Sequence, residues 1–282
     1  MAGDYRELGS KRRGRRVVPI FFVLLAGSLV MAMLMTADVS PRISPPNPPP
    51  PGGPVTWAAD TETGDVSQWA NGQFGEAVFN TGTGNVEAST DVARSGRYSL
   101  KMSISGAANE TQAARILRWH DNPVEAYYSV WFNFPQVYRP AVWWNVLQFK
   151  SQSNTDNVPT WVLNVGNRPD GTMYFYLWDA LTNTSYSPLH HVDLPIKSWF
   201  QVKVFFRRAT DNTGRITIWQ GNDLLFDIDQ VRTAIADNTH FGVGNYTDDI
   251  TPSDPVIYAD DAVIRSILRT PTNQDESSAP SS

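Results

Sequence analysis

The 282-residue chain contains no cysteine, which excludes disulfides, zinc–thiolate centres, cysteine nucleophiles and a lipid anchor on a thiol. Charge is sparse at 18%, and 23 basic against 28 acidic residues leave a net charge of −5. That balance argues against a nucleic-acid binder, which needs clustered basic surface. Histidine is scarce, at four residues. No sustained 3.6-residue periodicity follows the N-terminal region, which excludes a helical bundle. What is abundant is apolar and aromatic: 41% hydrophobic residues, including 10 Trp, 10 Tyr and 13 Phe. This is enough for one full-sized core, and aromatic wealth with few charges suits a β-rich domain that meets sugars or apolar surfaces.

The chain divides by composition. Residues 1–16 end in a basic block (Lys11, Arg12, Arg13, Arg15, Arg16), and Val17 to Met35 is a charge-free run of 19 residues. At about 1.5 Å per residue, a helix over that run approaches the roughly 30 Å of bilayer hydrocarbon. The basic block reads as a cytoplasmic tail and 17–35 as a transmembrane signal anchor, which places the rest outside the cell as a single-pass membrane protein. Secretion after signal cleavage is the alternative, but Met35 two positions before Ala37 makes a poor small-x-small site. Residues 36–54 form a Pro-rich linker in which eight of the fourteen positions 41–54 are proline, favouring an extended polyproline II rod. Residues 269–282 read as a disordered tail. The folded domain is expected over 55–268. Seven basic and three acidic residues fall in 1–50, so the remainder carries 16 against 25, a net charge of −9.

Within 55–268 many short runs alternate with a period of two. Tyr98, Leu100, Met102 and Ile104 alternate with polar residues, as do Tyr128, Val130, Phe132 and Phe134 with their neighbours. Arg168-Pro169-Asp170-Gly171 is a tight-turn signal pairing Trp161–Asn167 with the strand from Met173. Residues 200–228 read as a meander, 256–264 as a last strand, and 229–235 as a short helix. Ten or more strands without alternating helices predict an all-β fold, a two-sheet antiparallel jelly-roll sandwich.

Several segments resemble a known family: Glu62-Thr63-Gly64-Asp65-Val66-Ser67-Gln68-Trp69, Ala93-Arg94-Ser95-Gly96-Arg97-Tyr98-Ser99-Leu100, Tyr127-Tyr128-Ser129-Val130-Trp131-Phe132, Asn145-Val146-Leu147-Gln148-Phe149-Lys150, Trp199-Phe200-Gln201-Val202 and Ile257-Tyr258-Ala259-Asp260-Asp261-Ala262-Val263-Ile264. They are similar to the concanavalin A-like polysaccharide lyases of the heparin lyase I type. The resemblance implies β-elimination on a uronic-acid-containing polysaccharide. Alginate lyases on this scaffold carry an Arg strand, a Gln-x-His strand and a late Tyr. Here Arg115 and Arg118 match the first, Gln148 and Lys150 the second with Lys in place of His, and Asn245-Tyr246 the third. Sugar-binding modules such as laminin G-like domains share the early and late strand patterns without chemistry, so a non-catalytic carbohydrate-binding module is the alternative.

Such a lyase must neutralise the uronate carboxylate, remove the C5 proton and protonate the departing oxygen. Strand parity places Trp144, Val146, Gln148 and Lys150 on one face, with Leu147 and Phe149 towards the core. The same reasoning puts Asn164, Tyr174, Tyr176 and Trp178 on that face. Gln148 and Asn164 are assigned the carboxylate, helped by Arg115 or Arg118, which three-residue spacing points to opposite faces. Tyr246 is the expected base or acid and Lys150 a second proton carrier or charge anchor. Trp144, Tyr174, Tyr176, Trp178 and Asn245 are expected to contact sugar. The cations Arg115, Arg118, Lys150 and Arg168 are expected to offset the acidic domain within the cleft. A glycoside hydrolase is disfavoured because no Glu-x-Asp-x-x-Glu strand exists. No cofactor is required. A structural calcium ion would be held by Glu62 and Asp65 of the first strand with Asp260 or Asp261 of the last, whereas His190 and His191 are adjacent and lack a carboxylate at ligand spacing. The expected partners are a polysaccharide and, through the N-terminal helix, a membrane; the expected oligomeric state is a monomer.

Overall fold

A computed structural model describes residues 52–70, 77–107, 110–119 and 122–267. The basic block, the apolar run 17–35, the linker up to residue 51 and the tail from 269 lie outside the described residues. No helix among the described residues is long and apolar enough to cross a membrane.

Among the described residues seventeen strands form in chain order: β1 (Val55–Ala59), β2 (Val78–Thr81), β3 (Asn85–Ser89), β4 (Ser99–Ser103), β5 (Gln112–Arg118), β6 (Glu125–Asn133), β7 (Arg139–Pro140), β8 (Trp144–Gln152), β9 (Asn157–Asn167), β10 (Met173–Asp179), β11 (Thr184–Tyr186), β12 (Phe200–Arg207), β13 (Gly214–Gln220), β14 (Asp223–Val231), β15 (His240–Thr247), β16 (Ile250–Thr251) and β17 (Val256–Arg265). Every pairing within the sheets is antiparallel. One sheet runs β14-β13-β12-β6-β17-β4-β3, with β1 also on β17, and the other runs β11-β10-β9-β8-β15-β5-β2. The expected all-β two-sheet sandwich is what the described residues form. The predicted Arg168–Gly171 turn closes β9 and β10, where Gly171 sits at φ 90° and its N–H donates to the Arg168 carbonyl at 2.9 Å. Glycine is needed there because a side chain is strained at that φ. The predicted meander is β12-β13-β14.

Two expectations fail. No helix forms at 229–235, because β14 continues its ladder to Val231 opposite Gly214. The first strand stops at Ala59, so Glu62 and Asp65 lie beyond it.

The sheets share one dry layer of aromatic rings. Phe149 stacks on Phe206 of the opposite sheet at 4.1 Å, and Tyr128 meets Phe149 edge-on at 5.0 Å. Each such side chain contributes on the order of 2 kcal/mol through burial. The alternation that builds this layer is broken on β8, whose pairing with β9 slips at Asn145/Leu147 and again at Phe149/Lys150. The β8–β15 register slips between Val243 and Tyr246. One extra residue shifts parity by one, so Trp144 joins Leu147 and Phe149 in the core. It packs edge-on against Phe134 and Tyr138, each at 5.4 Å.

The expected sugar contacts of Trp144 and Asn245 are therefore corrected, since both are 0% exposed. Asn245 follows plain alternation with the core residues Phe241 and Val243 of β15. Its Oδ1 accepts the Trp144 indole N–H at 2.8 Å, and its amide donates to the carbonyls of Met102 at 3.2 Å and Pro255 at 2.8 Å. It is a polar bolt between the sheets. Asn245→Ala leaves those groups buried and unpaired and should cost about 2–3 kcal/mol in urea unfolding, with substrate affinity of the folded protein unchanged. A raised KM at unaltered stability would return Asn245 to the binding surface.

Candidate functional site

The face of the seven-stranded sheet that points away from the core gathers polar and aromatic groups in register. Tyr246 on β15 stands opposite Asn145 on β8, which stands opposite Asn164 on β9, which stands opposite Tyr176 on β10. Opposed side chains in a ladder lie within about 5.5 Å at Cβ, so four strands deliver one continuous row. In the rows alongside, Gln148 opposes Gly242 and Val162, and Val162 opposes Trp178. Lys150 opposes His240.

Glycines in His240-Phe241-Gly242-Val243-Gly244 make the crowding possible. A Cβ at Gly244 would come 2.7 Å from Arg115 Cγ, and one at Gly242 2.7 Å from Leu117 Cγ. With no Cβ at Gly244, Arg115 folds over β15 and its guanidinium lies 4.2 Å from the centre of the Tyr246 ring. Trp143 meets the same ring edge-on at 4.6 Å. Lys150 Nζ lies 5.4 Å from the Trp119 ring, which His240 also contacts at 4.5 Å.

Burial lowers the Lys150 pKa to about 8, and the Arg115 charge adds to the effect. The Tyr176 phenol is pushed up to about 12 by burial, with Tyr174 and Asp248 contributing. Gln148 and Asn164 are each 3% exposed, and the Asn164 amide donates to the Val162 carbonyl at 3.3 Å. The arrangement offers amides and a guanidinium to an anion, beside an amine that sheds its proton near neutrality and a phenol.

Of the expected residues, Gln148, Lys150, Tyr246, Arg115, Asn164, Tyr174, Tyr176 and Trp178 share this face. Arg118 does not. It opposes Phe241, a core residue, on the other face of β5, and its guanidinium lies 4.8 Å from the Trp57 ring. Of the four expected cations, Arg115 and Lys150 converge, while Arg168 sits further along β10 over Tyr174 at 4.5 Å. Asn145 and His240 were missed. Asn145 was hidden by the bulge, whereas His240 was legible by counting back in steps of two from Tyr246.

The expected calcium ligands are engaged elsewhere. Glu62 accepts the backbone N–H groups of Arg97 and Tyr98 at 2.8–3.0 Å. Asp65 caps its own turn through Thr63 and Ser67. Asp261 pairs with Arg94 at 2.7 Å and accepts the Ser95 hydroxyl. Asp260, pushed up to about 6 by burial, accepts the Arg94 and Asp261 N–H groups. Among the described residues no three His, Asp or Glu side chains are grouped to hold a metal ion.

A family model described as polysaccharide lyase matches residues 61–263. The chain belongs to the polysaccharide lyase family. Solved structures of similar fold include an endo-β-1,4-glucuronan lyase from the fungus Trichoderma reesei, with a TM-score of 0.56, 17% identity and coverage of 76% of this chain and 96% of that one. The alginate lyase Aly36B gives a TM-score of 0.53 at 13% identity, covering 78% of this chain and 100% of that one. A mutant of Aly36B in complex with an alginate trisaccharide gives 0.51 at 14% identity, covering 76% and 99%. No curated protein matches the chain by sequence.

In this family member, the half-buried Lys150 amine opposes folding while charged. Its folded pKa lies below its unfolded value, so the penalty is complete below pH 8 and fades as pH rises from about 8 towards 10. Lys150→Met should raise the melting temperature at pH 7, with the gain shrinking at pH 10. A gain independent of pH would show that packing, not charge, is responsible.

Proposed function

We propose that the protein is an extracytoplasmic lyase that cleaves a uronate-containing polysaccharide by β-elimination. The observation that carries this reading is the in-register row Tyr246–Asn145–Asn164–Tyr176, with Arg115 over Tyr246 and Gln148 and Lys150 on the same face. Asn145, Asn164 and Gln148 face the uronate carboxylate with Arg115, and their donors offset the charge that grows as the C5–H bond breaks. Either neutral Lys150 takes the C5 proton while the Tyr246 hydroxyl protonates the glycosidic oxygen, or the Tyr246 phenolate takes it while the Lys150 ammonium donates; the C5–H pair becomes the C4–C5 double bond as the C4–O bond breaks. Tyr176 and Trp178 supply ring faces for the neighbouring sugars. The run 17–35 behind a basic block supports display of the domain outside the membrane, tethered by the Pro-rich linker.

The motifs resemble heparin lyase I, and the similar solved structures are glucuronan and alginate lyases, so a panel of heparin, glucuronan, alginate and a neutral glucan separates the substrates. Release of unsaturated uronate absorbance from one of these polymers is the expected result. Retention without product would leave a carbohydrate-binding module instead. On the cleaved polymer, Tyr246→Phe should lower kcat by about a hundredfold or more. With Lys150 as base, kcat/KM rises with pH up to about 8, and Lys150→Arg removes that rise. A flat profile in the unmodified protein would take Lys150 out of the proton transfer.

A further inference from the structure

Beyond the row, the start of β10 borders an open pocket of about 290 Å³ whose lining includes Arg168, Tyr174, Pro188, Leu189, His190 and His191. Tyr174 lies one alternate position along β10 from Tyr176, about 7 Å away on the same face. It is opposed by Gly166, where a Cβ would come 3.2 Å from its ring. The loop after β11 forms the far wall and is pinned to both sheets. Leu194 N–H donates to the Met173 carbonyl at 2.9 Å, Leu189 N–H to the Leu225 carbonyl at 2.8 Å, and the Gln220 amide to the Asp193 carbonyl at 2.7 Å. The site is thus formed before any ligand arrives.

Its chemistry is mixed. Leu189 is 58% exposed, an apolar rim beside Pro188. Two of the pocket's polar lining residues share one anchor: Asp193 Oδ1 holds both Arg168 Nη1 at 2.7 Å and His191 Nε2 at 2.9 Å. Asp193 already balances the Arg168 charge, and Asp170 lies within electrostatic reach of His191. A third carboxylate would be repelled, whereas a hydroxyl both donates and accepts and fits a ring of planar donors and acceptors. An apolar rim facing such a network suits the C–H face and hydroxyl edge of one sugar ring.

We propose that this pocket is a distal subsite that takes one hexopyranose of the polymer and reads it through its hydroxyls. The inference rests on the polysaccharide reading above but not on catalysis. From Tyr246 to β10 are three strand spacings, about 14 Å, so the bound sugar lies several units from the bond that breaks. The subsite therefore selects for chain length.

Leu189→Ser combined with His191→Ala alters two exposed side chains outside the core. With glucuronan or alginate as substrate, the double variant should raise KM at least fivefold at unchanged kcat, while KM for the corresponding trisaccharide, too short to reach, stays constant. Equal KM on the polymer, or an equal rise on the trisaccharide, overturns the proposal. If the unmodified full chain cleaves none of heparin, glucuronan and alginate, the lyase reading fails, and affinity electrophoresis through gels cast with glucuronan or alginate still decides the subsite. Weaker retardation of the double variant upholds it, and identical retardation refutes it. Carboxyl-reduced glucuronan should show the same loss of retardation; a loss seen only with the acidic polymer overturns the hydroxyl reading.

Discussion

Two twisted sheets sharing a single dry layer impose one constraint from which the rest follows: each paired strand must send alternate side chains into that layer. Phe149, Phe206, Phe241 and Tyr128 satisfy it from both sides. The residues between them are then committed to an outer face, where nothing in the core dictates their identity. The seven-stranded sheet uses that freedom for chemistry. Gln148 and Lys150 are outside because Leu147 and Phe149 are inside.

The same constraint explains why the site is costly. Beside Trp119 and opposite His240, Lys150 loses hydration and feels the like charge of Arg115. Both effects favour the neutral amine, which is useful for accepting a proton and unfavourable for folding at neutral pH. A protein that needed only a stable sandwich would place an apolar residue there. Gly244 points the same way, since a bare backbone gives up packing on β15 so that Arg115 can lie across Tyr246.

The carboxylates at the sandwich's end follow a different logic. Glu62, Asp260 and Asp261 come from distant parts of the chain and converge on the tight turn Arg94–Tyr98, accepting its backbone N–H groups and its Arg94 and Ser95 side chains. The turn's own donors tie these ends together.

Period-two alternation determined a great deal from the sequence alone: the all-β class, the β9–β10 turn, the β12–β14 meander, and the shared face of Gln148, Lys150, Asn164, Tyr174, Tyr176 and Trp178. These are local consequences of a strand's geometry, so neighbouring residues suffice to reveal them. What alternation could not reveal depended on partners far along the chain. The slip between Asn145 and Leu147 exists only in β8's pairing with β9 and β15, and it exchanged Trp144 for Asn145 on the outer face. Asn245 was assigned beside Tyr246 because the two are adjacent in a motif, although adjacent strand residues must face apart. His240 reached Lys150, and Glu62 reached Arg97, only through pairings and loop packing that join segments dozens of residues apart. A sequence states which faces a strand has, but the register between strands decides which residues meet, because register is an agreement between two segments and is written in neither.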